Sequence, residues 1–105
     1  MEINQLLDDN GHLQDYTIWN QSIANQLASM DKINLTNKHW EIIHLVRQIY
    51  IETQTTPPMR LLIKAIKTNL NPNIASSRYL YQLFPDGPVR LASRYAGIPK
   101  PKHCM

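Results

Sequence analysis

Apolar residues recur at helical spacing in five separate stretches of the chain, with polar positions filling the faces between them. Trp19, Ile23, Leu27 and Met30 predict one stripe on a helix that starts near Thr17. Thr36 is an N-cap candidate for a longer helix, on which Trp40, Ile43, Val46, Ile49 and Tyr50 form a broad apolar face. That helix is expected at the centre of the core. It should stop within TQTTPP, because Pro57 disfavours helical geometry at Thr56.

Pro58 can occupy the first turn of a third helix, with Met59, Leu62, Ile63 and Ile66 on one side and Arg60, Lys64 and Lys67 on the other. Ser76 or Ser77 can cap a short fourth helix that carries Tyr79, Leu80, Leu83 and Phe84. Pro88 opens a fifth with Leu91, Ala92 and Tyr95 inward, and Gly97 supplies a left-handed stop. Before all of these, Asn10-Gly11 within DDNGHL suits a two-residue turn with positive φ, so a short β-hairpin is expected there. The predicted architecture is mainly α: a small orthogonal helical bundle with a helix-turn-helix-like part, a short N-terminal β-hairpin and an extended C-terminal arm. Residues 1–105 form one domain, of which 97–105 are the flexible arm, since Pro99 and Pro101 forbid helix.

Charge divides the chain. Residues 1–52 carry three basic and seven acidic side chains, whereas residues 53–105 carry eight basic ones against Asp86 alone. A cationic C-terminal half suits an anionic partner, either nucleic acid or an acidic protein face. No apolar run approaches the roughly 18 residues of a membrane helix, and Met1 is followed by no secretory-type leader pattern. A lone cysteine forms no internal disulfide, so a reducing cytoplasm is the expected location.

That cysteine, Cys104, lies one residue from the end, in GIPKPKHCM. Metal binding by His12, His39, His44, His103 and Cys104 is disfavoured because none of the usual zinc spacings occurs. Acyl transfer is disfavoured as well, since a thiol on a free end lacks a rigid oxyanion hole. A thiol carrier needs reach instead. From Ile98 to Cys104 an extended tail spans roughly 20 Å, and its prolines limit the entropy lost on entering another protein. Lys100, Lys102 and a protonated His103 favour the thiolate, which the terminal carboxylate of Met105 opposes.

The segments LTNKHWEIIHLVRQIY, PPMRLLIKAI, SRYLYQLFPDGP and AGIPKPKHCM, with D-x-x-G-x-L at Asp8 to Leu13, resemble the DsrC/TusE family of sulfur relay proteins over nearly the whole chain. The resemblance implies that Cys104 carries sulfur as a persulfide and that no cofactor is needed. A second family cysteine, eleven positions earlier, is here Ser93, which places the chain on the TusE side of the family. The implied partners are a TusBCD-like donor complex and an MnmA-like tRNA 2-thiouridylase with bound tRNA, the acceptor site being the wobble uridine. Arg60, Lys64, Lys67, Arg90 and Arg94 are candidates for docking. The competing reading is a helix-turn-helix nucleic-acid-binding or regulatory protein, with the third helix presented to DNA. A long connection before that helix and a scarcity of amide side chains beside its cations weigh against it.

Overall fold

The computed structural model describes residues 3–101. Five α-helices account for most of them: α1 (Gln21–Met30), α2 (Asn37–Thr53), α3 (Met59–Asn69), α4 (Ser77–Leu83) and α5 (Pro88–Tyr95), with single 3₁₀ turns at 3–6, 16–18 and 72–74. Local chemistry sets the boundaries. The Asn20 side chain accepts from the Ile23 amide to start α1, and Ser76 accepts from Tyr79 to start α4. At the N-terminus of α2 the buried His39 reaches back, its Nδ1 accepting from the Thr36 amide at 3.1 Å. Its Nε2 then donates to the Leu83 carbonyl at 2.8 Å, so one imidazole caps α2 and ties it to the end of α4. The chain leaves α2 through Gln54 in the left-handed region.

Trp19 does not belong to α1, although its spacing continues the stripe of Ile23 and Leu27. Asn20 fixes the helix start behind it, and Met30, the other end of that stripe, is about half exposed.

The expected β-hairpin is not formed. Among the described residues there is no strand, only one isolated antiparallel bridge between Leu7 and Leu13. The Asp8 carboxylate accepts from the amides of Asn10 and His12, and Gly11 alone takes positive φ, so a carboxylate-tied loop replaces the two-residue turn. Residues 3–6 and 16–18 on either side coil into 3₁₀ turns, which leaves no extended chain to lengthen the ladder.

The centre of the core is α5 and not α2. All four other helices pack against α5, and Leu91, Ala92, Ser93 and Tyr95 on it are fully enclosed. Phe84, Leu80, Ile42, Ile43, Leu62 and Ile66 surround it. Tyr95 brings its hydroxyl to the surface of this core, where it donates to the Asp31 carboxylate at 2.7 Å. Arg94 lies 3.7 Å from the same carboxylate, joining α5 to the end of α1. Burial and the bond to Asp31 hold the Tyr95 phenol well above its ordinary pKa. Among the described residues no helix is long and apolar enough to cross a membrane.

Replacing Tyr95 by Phe keeps the ring and removes the bond to Asp31. The expected loss is about 1.5 kcal/mol of unfolding free energy in a urea titration, the lower end of the range for hydrogen bonds to charged groups.

Candidate functional site

The last helical turn of a chain leaves carbonyls without intrahelical donors, and the prolines at 99 and 101 supply no N–H with which to build a ladder. The segment that follows α5 therefore needs donors from elsewhere, and it finds four. Trp19 Nε1 donates to the Tyr95 carbonyl at 2.7 Å, and Arg47 Nη1 to Ala96 at 2.8 Å. His12 Nδ1 reaches the Ile98 carbonyl at 3.0 Å, and Thr56 Oγ1 donates to Pro99 at 2.7 Å. Because a carbonyl only accepts, the His12 ring is the Nδ1–H tautomer. These four side chains come from the N-terminal loop, the turn before α1, the middle of α2 and the connection after it.

The four donors are themselves fixed. The Arg47 guanidinium lies over the Trp19 ring, 4.3 Å from its centroid, a cation–π geometry. His12 is almost completely enclosed, and Thr56 is buried. The Trp19 indole also covers Gly97, which adopts φ +73°; a β-carbon there would collide with the ring. Residues 97–101, expected to open a flexible arm, are thus held against the body, with Ile98 fully buried and Pro101 buried.

Pro101 forms one wall of an open groove of about 460 Å3, whose other walls include Pro58 and Met59 at the start of α3, Tyr81 on α4, and Pro88, Val89 and Arg90 on α5. LFPDGP and PPM, two of the segments singled out in the sequence, meet in this groove.

The predicted site residues separate into three groups. Arg90 lines the groove and donates to the Asp86 carbonyl at 3.2 Å, and Lys100, which precedes Pro101 in the chain, is exposed. Arg94 points elsewhere: it is engaged with Asp31 and Met30, and its Nε is buried without a hydrogen-bond partner. Lys102, His103 and Cys104 lie outside the described residues. Ser93 is buried in α5 and donates back to the Arg90 carbonyl at 3.0 Å. Of the histidines weighed as ligands, His12 and His39 both bond backbone carbonyls, and the described residues contain no cluster of three metal-ligating side chains.

Sequence reasoning overlooked His12, Trp19, Arg47 and Thr56 as supports of the arm. The available signal was the arm itself: two prolines with one residue between them, after a helix end, demand side-chain donors from outside.

Burial lowers the His12 pKa from its ordinary value, and the Ile98 bond and Asp8 only partly offset this. The unfolded chain therefore binds a proton more readily, so this contribution to stability is complete above about pH 6.5 and declines as pH falls toward the lowered value. Urea midpoints measured from pH 7.5 down to 5 should fall, and His12→Gln should flatten that dependence. Gly97→Ala should cost at least about 2 kcal/mol in the same assay, since it adds a left-handed alanine and a clash with Trp19.

The chain matches the family model described as "DsrC like protein" over residues 2–105. It is 43% identical to the sulfurtransferase TusE of Pectobacterium atrosepticum over 98 residues, 93% of this chain and 90% of that protein. It is 40% identical, with the same coverage of both chains, to the sulfurtransferase TusE of Salmonella typhimurium. Its fold is similar to the NMR structure of Allochromatium vinosum DsrC, with a TM-score of 0.86 and 40% identity over 94% of this chain and 88% of that one. The oxidized gamma-subunit of dissimilatory sulfite reductase (DsrC) from Archaeoglobus fulgidus is similar too, with a TM-score of 0.82 and 39% identity over 94% and 90% of the two chains. With a match from end to end and these relatives, the chain belongs to the DsrC-like protein family.

Proposed function

We propose that this chain is a sulfur carrier, which accepts sulfane sulfur as a persulfide on Cys104 from a TusBCD-like complex and passes it to an MnmA-like tRNA 2-thiouridylase. The observation that carries the reading is the position of Cys104. It is the sole cysteine, and it lies five residues beyond Pro99, the last of the carbonyls at Ala96, Ile98 and Pro99 that side chains tie to the body. Membership of the family and the sulfurtransferase names of the TusE relatives support it.

The chemistry is a pair of exchanges at divalent sulfur. The Cys104 thiolate attacks the outer sulfur of a donor persulfide; the new S–S bond forms as the donor's S–S bond breaks, and the donor leaves as a thiolate. In the second exchange an acceptor thiolate attacks the outer sulfur of the Cys104 persulfide and regenerates the Cys104 thiolate. The sulfur moves at the sulfane level throughout, so neither an external oxidant nor a reductant enters. With Ser93 in place of a second thiol, the loaded sulfur has no internal thiol to meet.

A DNA-reading function has no comparable support. Five residues, 54–58, separate α2 from α3, and the exposed positions Arg60, Lys64 and Lys67 form a cationic face without amide side chains interleaved.

Incubation with a cysteine desulfurase, cysteine and a TusBCD-type complex should add one sulfur atom to the protein, removable by dithiothreitol and detected by intact mass spectrometry. Cys104→Ser should gain none and should abolish sulfur delivery to tRNA. A wild-type protein that takes up no sulfur would sink the proposal.

A further inference from the structure

Reach is set by the short stretch of chain from Pro101 to Cys104. Pro101 is a wall of the groove, and the segment leading to it is fixed through Ile98 and Pro99. Three residues from Pro101, even fully extended at about 3.6 Å each, the Cys104 Cα lies no farther than about 11 Å from the Pro101 Cα. That is about half the span the whole tail suggests when measured from Ile98. A protein whose reactive sulfur meets Cys104 must therefore lie against the surface around Pro101.

That surface has the properties of a docking site. Tyr81 on α4 is half exposed, and Met59 and Val89 are only partly covered. Pro58 and Pro85 present rigid apolar surface that loses little conformational entropy when covered. The surroundings are cationic: Arg90 lies in the groove wall, and exposed Lys100 and Arg60 adjoin Pro101 and Met59. Asp86 is the one acidic residue of the groove. Among the described residues the only ion pair is Arg94 with Asp31, so Arg60 and Lys100 have no acidic partner within the described fold.

We infer that this groove is where the persulfide-bearing donor docks, through an active-site rim that is apolar at its centre and acidic at its edge. This deepens the sulfur-carrier reading and rests on it. The groove recruits the donor, whose mouth then lies within reach of Cys104; the groove takes no part in the sulfur exchange. An apolar centre gives residence time, and the cationic edge gives rate and orientation.

The test follows sulfur uptake by the full-length protein from two sources, a TusBCD-type complex charged by a desulfurase and inorganic polysulfide, which needs no docking. Tyr81→Glu and Arg60→Glu alter exposed side chains, and circular dichroism checks their folding. Each should raise KM for the charged complex tenfold or more with kcat within twofold, while polysulfide loads Cys104 at the parent rate. The inference is overturned if Tyr81→Glu leaves KM for the complex unchanged. It is also overturned if that variant accelerates polysulfide loading at an unchanged KM, because the groove then seats the chain's own end. If the parent protein takes up sulfur from neither source, the carrier reading itself falls, a result distinct from both.

Discussion

The structure depends on satisfying a row of backbone carbonyls that cannot satisfy themselves. From Tyr95 to Pro99 the chain passes from a helix end into a proline-rich segment, where intrahelical donors have run out and ladder donors are lacking. A buried carbonyl left alone costs free energy comparable to a lost hydrogen bond. The fold meets this demand by bringing four side chains to one line, and meeting it fixes the arrangement of the N-terminal loop, the turn before α1 and the α2–α3 connection around α5. Packing supplies the energy of the core, while these bonds decide the direction in which the chain leaves it.

The same constraint explains the assignment of α5 to the centre. A short helix of eight residues would be marginal in isolation. Enclosed by α1 to α4, it is held by packing on every side, and the arm grows from its end. The resulting arrangement joins a rigid platform to a short terminal segment, so that most of the ordering cost of presenting Cys104 is met on folding and not on each encounter.

Helices were largely legible in the sequence because their signals are local: Thr36 before α2, Ser76 before α4, Pro88 at α5, and apolar residues at helical spacing between. Errors arose where a strong local signal met a competing one. Asn10-Gly11 argues for a tight turn, but the Asp8 carboxylate is closer to hand and organises a wider loop. Trp19 continues a helical stripe, yet the Asn20 cap begins the helix after it. The supports of the arm were not legible at all. Their partners lie 43 to 86 residues away, so no window on the sequence contains both ends of a bond; His12 reads only as a disfavoured metal-ligand candidate, and Arg47 carries no assignment. Cys104 was accessible to sequence reasoning for the opposite reason: its uniqueness and terminal position are properties of the chain alone.

The indole of Trp19 has a consequence for spectroscopy. Its N–H is bonded to the peptide group at the foot of the arm, its face carries the Arg47 guanidinium, and the His44 ring lies edge-on 6.1 Å away. A fluorophore with a cation on one face and a hydrogen bond to the backbone has an emission that is sensitive to small displacements of either. The molecule thus contains a natural optical gauge of the arm's foot, and Trp40, the only other tryptophan, can be exchanged for phenylalanine to leave that gauge reading by itself.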